Sequence, residues 1–168
     1  MHYIYCPKCG RKLTGKPAGD EGTVPYCEAC RKYWFDSFSN CAIVLVANEA
    51  GEIALLTQNY LSDTYKNYVS GYIVPGETAE ETARREVREE LGITLERLDY
   101  AGTHWFARND VLMHGFIGYA KKCAFTLSPE VDAAQWVPAE QVPALIFPDR
   151  PGKTQHILYR KYLADNTP

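Results

Sequence analysis

The run Cys41-Ala-Ile-Val-Leu-Val-Ala47 is apolar at every position, which suits a strand buried on both faces rather than one that alternates between core and water. Asn48-Glu-Ala-Gly51 then turns the chain into Glu52-Ile-Ala-Leu-Leu-Thr-Gln58, and the two runs read as a hairpin. From Ala79 the period changes. Ala79, Ala83, Val87 and Leu91 recur at helical spacing, and Gly92 supplies a residue able to take positive φ where that helix must stop. Further strands are predicted near 94–103, 111–121 and 134–137, with short helical signals around 138–142 and 153–164. Ahead of the first long strand, residues 12–22 hold Gly15, Pro17, Gly19 and Gly22 and read as turns. Tyr33, Trp34, Phe35 and Phe38 form an aromatic joint expected to pack against the larger domain or a second subunit. Mixed strands with one central and one terminal helix predict an α+β layered domain.

Composition narrows the setting. At 168 residues the chain allows one ordinary domain plus a small appendage, and its 46% hydrophobic content is that of a globular protein. No apolar run approaches the ~20 residues needed to span a bilayer, and Met1-His-Tyr-Ile-Tyr lacks the basic and apolar regions of a secretory signal. A cytoplasmic protein with no membrane partner is expected. The net charge of −3 gives no general attraction to nucleic acid, although Lys8, Arg11, Lys12 and Lys16 make the N-terminal segment locally basic.

The central helix carries the densest chemistry. Relative to Glu86, Glu89 falls at about −60° and Glu90 at about +40° around the axis, so three carboxylates share one sector. The apolar stripe lies about a quarter turn away, which gives the helix a packed side and a chemical side. Crowded carboxylates repel one another unless a dication sits among them, so the sector reads as a magnesium site. Arg85, one turn before Glu89, is placed to hold a carboxylate ionised. Gly71-Tyr72-Ile73-Val74-Pro75-Gly76 reads as a strand end and loop feeding the helix, with glycines that let backbone approach a metal or phosphate. A helix merely laced with surface ion pairs would explain two of the glutamates, but not their combination with Gly71, Glu77 and the Leu91-Gly92-Ile93 ending.

The N-terminus carries a second pattern. Cys6-Pro-Lys-Cys9 and Cys27-Glu-Ala-Cys30 form two CxxC knuckles with seventeen residues between them, the spacing of a four-cysteine zinc ribbon. Four thiolates leave no open coordination position, so this zinc is expected to be structural, supplying folding free energy to a segment too small to fold alone. Two disulfides are the alternative, disfavoured by the absent signal. Cys41 and Cys123 read as small buried hydrophobes.

The run of Gly71, Glu77 and Arg85-Glu86-Val87-Arg88-Glu89-Glu90-Leu91-Gly92-Ile93 resembles the Nudix box at every fixed position. The resemblance implies an α/β/α sandwich with a mixed sheet over residues 37–168, after a zinc ribbon over 1–36. It also implies hydrolysis, with magnesium or manganese, of a nucleoside diphosphate linked to another moiety, such as an NAD(H)-like or ADP-ribose-like nucleotide. By the same resemblance Glu86, Glu89 and Glu90 are metal-binding and catalytic, Gly71 offers its carbonyl to the metal, and Arg85 bridges to Glu77 or a catalytic carboxylate. Several family members place another metal-binding Glu in a later loop, and Glu130 is the candidate here, with Asp132 its rival. A zinc ribbon followed by a Nudix domain is similar to the NADH pyrophosphatase subfamily, which suggests a homodimer. The substrate motif of that subfamily is incomplete: Trp105 and Phe106 keep an aromatic pair, but both prolines and the final serine are missing, which argues against an NADH preference. Trp105 and Phe106 are candidates to stack on a base, Arg108 to meet a phosphate, and Tyr60, Tyr65, Tyr68 and Tyr72 to line the pocket mouth. The competing reading is a regulatory nucleotide-binding module whose ribbon contacts nucleic acid or protein. Three intact carboxylates weigh against it.

Overall fold

The computed structural model describes residues 2–166 in two compact units, Met1–Phe38 and Ser39–Pro168. In the first, β1 (Thr14–Pro17), β2 (Thr23–Cys27) and β3 (Lys32–Tyr33) form an antiparallel sheet in that order. The sheet is small and its buried apolar set short: Cys6, Val24, Tyr26 and Cys27. So little apolar surface stabilises a fold weakly without a staple.

The second unit is built on β4 (Ser39–Ala47), which pairs parallel with β8 (Val111–Tyr119) along its whole length. On its other side β4 pairs antiparallel with β6 (Val69–Tyr72) at one end and with β5 (Glu52–Thr57) at the other. Antiparallel partners β7 (Arg97–Phe106) and β9 (Ala133–Pro138) complete a mixed six-stranded sheet. β4 is apolar throughout because both its faces are covered. Ala42, Val44 and Val46 pack with Ala83, Val87 and Leu91 of α1 (Ala79–Leu91). Ile43, Leu45 and Ala47 pack with Val142 of α2 (Val142–Leu145) and Leu158 and Tyr162 of α3 (Thr154–Asn166). The result is an α/β/α sandwich with a mixed sheet, as expected from the sequence.

The hairpin after β4 forms around Asn48, whose side-chain Oδ1 accepts from the backbone N–H groups of Ala50 (2.9 Å) and Glu52 (3.0 Å). Helix α1 starts in a capping box: Thr78 Oγ1 accepts from the Glu81 N–H at 3.2 Å, and Glu81 Oε2 accepts from the Thr78 N–H at 2.8 Å. It ends at Gly92, with φ of +71° and its N–H on the Arg88 carbonyl at 3.0 Å. Two expectations change. Strand β7 runs on to Phe106, because a tight turn with Asp110 at φ of +51° keeps Trp105 and Phe106 in register with Leu112 and Val111. Cys123 is exposed rather than buried: β8 stops at Tyr119, and the Lys121-Lys122 pair carries the following segment out into solvent.

Candidate active site and cysteine cluster

Helix α1 presents its three glutamates at three depths. The Glu89 side chain is 54% exposed, that of Glu86 is 13% exposed, and Glu90 as a residue is 4% exposed. The Arg85 guanidinium organises them: Nη1 donates to Glu86 Oε1 (2.6 Å) and Glu89 Oε2 (2.9 Å), while Nε and Nη2 grip the two oxygens of Glu77 (2.8 and 3.0 Å). Nη2 also donates to the Tyr72 carbonyl at 3.2 Å, and Thr82 Oγ1 donates to Glu77 at 2.7 Å. One fork thus ties β6, the loop and the helix together. The Arg85 fork, followed by the Thr82 hydroxyl, holds the Glu77 carboxyl down at about 2.

Gly71 has a steric reason to be glycine. It pairs with Ala42 on the α1 face of β6, and a Cβ there would fall on the Glu86 carboxylate. The acid therefore lies directly against strand backbone. Glu90 sits deeper still: Gln58 Nε2 donates to its Oε1 at 3.4 Å, and its Oε2 has no partner. Burial, then the charges of Glu86 and Glu130, push the Glu90 carboxyl up to about 8. Burial also raises Glu86, with Glu89 and Glu130 adding repulsion against the pull of Arg85. Glu130, exposed in the turn before β9, thus acts electrostatically on the cluster from outside the helix. Asp132 is engaged elsewhere, accepting from the Asn59 N–H at 2.7 Å.

These groups fit a hard dication. All are oxygen donors, one buried oxygen is orphaned, and ionising Glu90 beside Glu86 requires added positive charge. The cluster is open rather than closed, since its carboxylate oxygens do not gather within 4.8 Å of one another and Arg85 shares the work of neutralisation.

A cavity of about 440 Å³ adjoins the cluster. Ser70 and Tyr60 line it, and Tyr60 also accepts at 3.2 Å from the Gln58 amide that reaches Glu90. Phe106, Arg108 and Tyr68 line it as well. Trp105 and Tyr72 are 48% and 58% exposed and stand outside its lining. Tyr65 also stands outside, packed on Phe147 with ring centroids 5.0 Å apart.

In the first unit Cys6, Cys9, Cys27 and Cys30 bring their sulfurs within 4.8 Å of one another, the one such set of three or more ligand atoms among the described residues. The Cys6–Cys30 and Cys9–Cys27 separations are 3.9 and 3.5 Å. A zinc tetrahedron with ~2.3 Å bonds has edges of about 3.8 Å. The Cys30 N–H donates to Cys27 Sγ at 3.4 Å. Without a cation the four cannot all ionise: hydrogen bonding to Cys9, then burial, pushes the Cys30 thiol up to about 12.

Residues 38–158 match the family model described as NUDIX domain. The chain belongs to the NUDIX family. Among curated proteins it is similar to the NAD-capped RNA hydrolase NudC of Pseudomonas fluorescens, 29% identical over 142 residues covering 84% of this chain and 50% of the relative. It is also similar to the protein of that name from Pseudomonas aeruginosa, 28% identical over 147 residues covering 86% and 51%. The chain spans about half the length of these relatives. Its fold is that of a NUDIX hydrolase from Nitrosomonas europaea, with TM-score 0.77, 15% identity and coverage of 98% and 92% of the two chains. The MutT protein of Methanosarcina mazei Go1 follows at TM-score 0.63, 25% identity and coverage of 80% and 99%.

Within this NUDIX unit the sequence reading missed Gln58, which is 2% exposed and links Glu90 to Tyr60. Its signal was faint: one amide just past β5, two positions after the apolar run Ile53–Leu56. It also missed Lys153, Thr154 and Gln155, which reach the cavity from the start of α3.

Proposed function

We propose that the chain hydrolyses the pyrophosphate bond of a nucleoside diphosphate linked to a second moiety, with Mg²⁺ or Mn²⁺ held by Glu86, Glu89, Glu90 and Glu130. The observation that carries this is Glu90, a carboxyl with an orphaned oxygen, pushed up first by burial and then by two neighbouring acids. Such a group is costly in a merely structural role and useful as a cation ligand. Bound dications would neutralise the non-bridging oxygens of the substrate and lower the pKa of a bound water.

The residues of the chain do the positioning. Arg85 holds Glu86 and Glu89 ionised and anchors the loop through Glu77. Gly71 leaves room for Glu86 against the strand and offers its carbonyl to the metal. The cavity takes the nucleotide, Phe106 providing a face for a base and Arg108 a charge for phosphate. Trp105 and Tyr72 are placed to meet parts of the substrate outside the cavity. The names of the Pseudomonas relatives make an NAD-like dinucleotide the leading substrate class. In the first unit the four cysteines hold a structural zinc.

The test is a panel of NAD⁺, ADP-ribose, dinucleoside polyphosphates and capped nucleotides, with Mg²⁺ or Mn²⁺ present or omitted. Mononucleotide release is expected only with metal. Glu90→Gln should lower kcat by more than about 100-fold while its melting temperature stays at or above that of the parent, because the amide removes a buried acid. Unchanged turnover in Glu90→Gln, or hydrolysis without metal, overturns the proposal.

A further inference from the structure

The end of strand β5 is tied to two of the acids by separate routes. The first runs through Gln58. This residue is 2% exposed, and its amide spends both N–H groups, one on Glu90 Oε1 at 3.4 Å and one on the Tyr60 hydroxyl at 3.2 Å, while its own Oε1 has no partner. It is the one side-chain donor to Glu90 among the described residues. The Gln58 carbonyl accepts from the Leu61 and Ser62 N–H groups at 2.9 and 3.1 Å, so the backbone that carries the amide is fixed as well. A buried amide that leaves its own oxygen unsatisfied is a poor filler of space, since methionine would occupy much the same volume without that cost. The amide has a use other than packing.

The second route runs through Asp132. Its N–H donates to the Thr57 carbonyl at 3.0 Å and its Oδ2 accepts from the Asn59 N–H at 2.7 Å, so the residues on either side of Gln58 grip it from both ends. Glu130 stands two positions earlier, on a turn closed by the Val131 N–H on the Ser128 carbonyl at 3.1 Å. Val131, 5% exposed, seats that turn in the core beneath α1. Asp132 thus locks the far side of the turn that carries Glu130. Tyr60 lies within reach of both routes: after burial, the charges of Glu90, Glu130 and Glu86 push its hydroxyl up.

We propose that residues 57–59 form a clasp that sets Glu90 against Glu130, with Gln58 and Asp132 as positioning residues. Gln58 acts through Glu90, and Asp132 acts through Glu130. Asp132 then serves the site without being a ligand. The roles of the two glutamates rest on the metal-dependent hydrolase reading above, and the clasp rests on its own hydrogen bonds.

The full chain with its zinc loaded is titrated with Mn²⁺ alone and followed by electron paramagnetic resonance. Gln58→Met should weaken Mn²⁺ binding by about tenfold while melting at or above the parent, because an unsatisfied buried oxygen is removed. Asp132→Ala should weaken binding by about fivefold, the worth of one hydrogen bond, and Asp132→Asn, whose amide oxygen still accepts from the Asn59 N–H, should stay within about twofold of the parent. That variant separates a clasp from a ligand, since a metal-binding carboxylate would lose as much on conversion to the amide as to alanine. Each effect should also vanish with its target: Gln58→Met added to Glu90→Gln, and Asp132→Ala added to Glu130→Gln, should each change the affinity by less than about twofold. In turnover of NAD⁺, Gln58→Met should raise the Mg²⁺ concentration for half-maximal rate by the factor seen with Mn²⁺ and leave the nucleotide KM unchanged. Parent-like Mn²⁺ affinity in Gln58→Met, equal losses in Asp132→Asn and Asp132→Ala, or effects that persist undiminished in the double variants overturn the clasp. A parent that binds no Mn²⁺ overturns it too. If the parent binds Mn²⁺ but hydrolyses no nucleotide of the panel, the hydrolase reading fails alone, and the Mn²⁺ titrations still decide the clasp.

Discussion

The two clusters of would-be anions in this chain face the same difficulty and resolve it in opposite ways. Four sulfurs from two tight knuckles converge until opposing pairs lie 3.9 and 3.5 Å apart. The carboxylates of α1 instead spread from solvent to core, from Glu89 at 54% exposure to Glu90 at 4%. Among the described residues no cationic side chain hydrogen-bonds these sulfurs, so a metal is the cation that could hold all four as thiolates. The carboxylates have Arg85, which neutralises two of them and leaves the buried third short of a partner. Under the proposed function, convergence without an open position suits a staple, whereas a graded cluster with one orphaned oxygen suits a site that admits and releases an ion.

Breaking the closed cluster should have the largest effect. Structural zinc supplies about 10–16 kcal/mol of apparent binding free energy in small zinc-folded peptides, and the first unit has little else to hold it. Cys27→Ser removes one ligand and the acceptor of the Cys30 N–H. Zinc content should fall from one equivalent towards none, and amide protection across β2 and β3 should vanish in hydrogen exchange. Full zinc loading with intact protection would show that the cluster is not what holds this sheet.

Gly71→Ala probes the open cluster without touching an acid. The new Cβ would fall on the Glu86 carboxylate, which must swing away from the strand. Overpacking of this kind costs about 1–3 kcal/mol, visible as a lower melting temperature. If Glu86 is a ligand as proposed, displacing it from its support should weaken Mn²⁺ binding by about 10–100-fold, measurable by electron paramagnetic resonance. Unchanged Mn²⁺ affinity would mean that Glu86 needs no fixed seat against β6.

Both clusters were legible in the sequence because their spacing is local. Two CxxC knuckles and one helical sector are each set by a few neighbouring residues, and the strand–helix pattern around Cys41–Ala47 and Ala79–Leu91 follows from burial on both faces or one. What was not legible depends on contacts between distant segments. Gln58 matters because β5 ends beneath Glu90, thirty-two positions along the chain. Lys153 matters because α3 begins beside the hairpin that carries Phe106. Glu130 and Asp132 looked equivalent, and only the bond from the Asn59 N–H to Asp132 distinguishes them. Trp105 and Phe106 are adjacent in sequence, yet strand alternation sends one to solvent and the other to the cavity.

The smallest effect should come from Glu77, which sharpens the role of Arg85 as the cluster's internal cation. Its carboxyl is held at about 2, chiefly by the Arg85 fork, against an ordinary value of 4.5. Above pH 4.5 the group is ionised in the folded and unfolded chain alike, and its contribution to stability is complete. As pH falls from 4.5 towards about 2, the unfolded chain takes up a proton that the folded one refuses, and that contribution is lost. Glu77→Gln should therefore melt below the parent at neutral pH, with a gap that narrows through this acid window, followed by a signal from α1 so that acid loss of zinc in the first unit does not intrude. The gap will be modest, because the Arg85 and Glu77 side chains are 22% and 23% exposed and water screens the pair. A gap that stays constant with pH would mean that Glu77 acts through packing alone, and that Arg85 is held in the cluster by Glu86 and Glu89 without help from the loop.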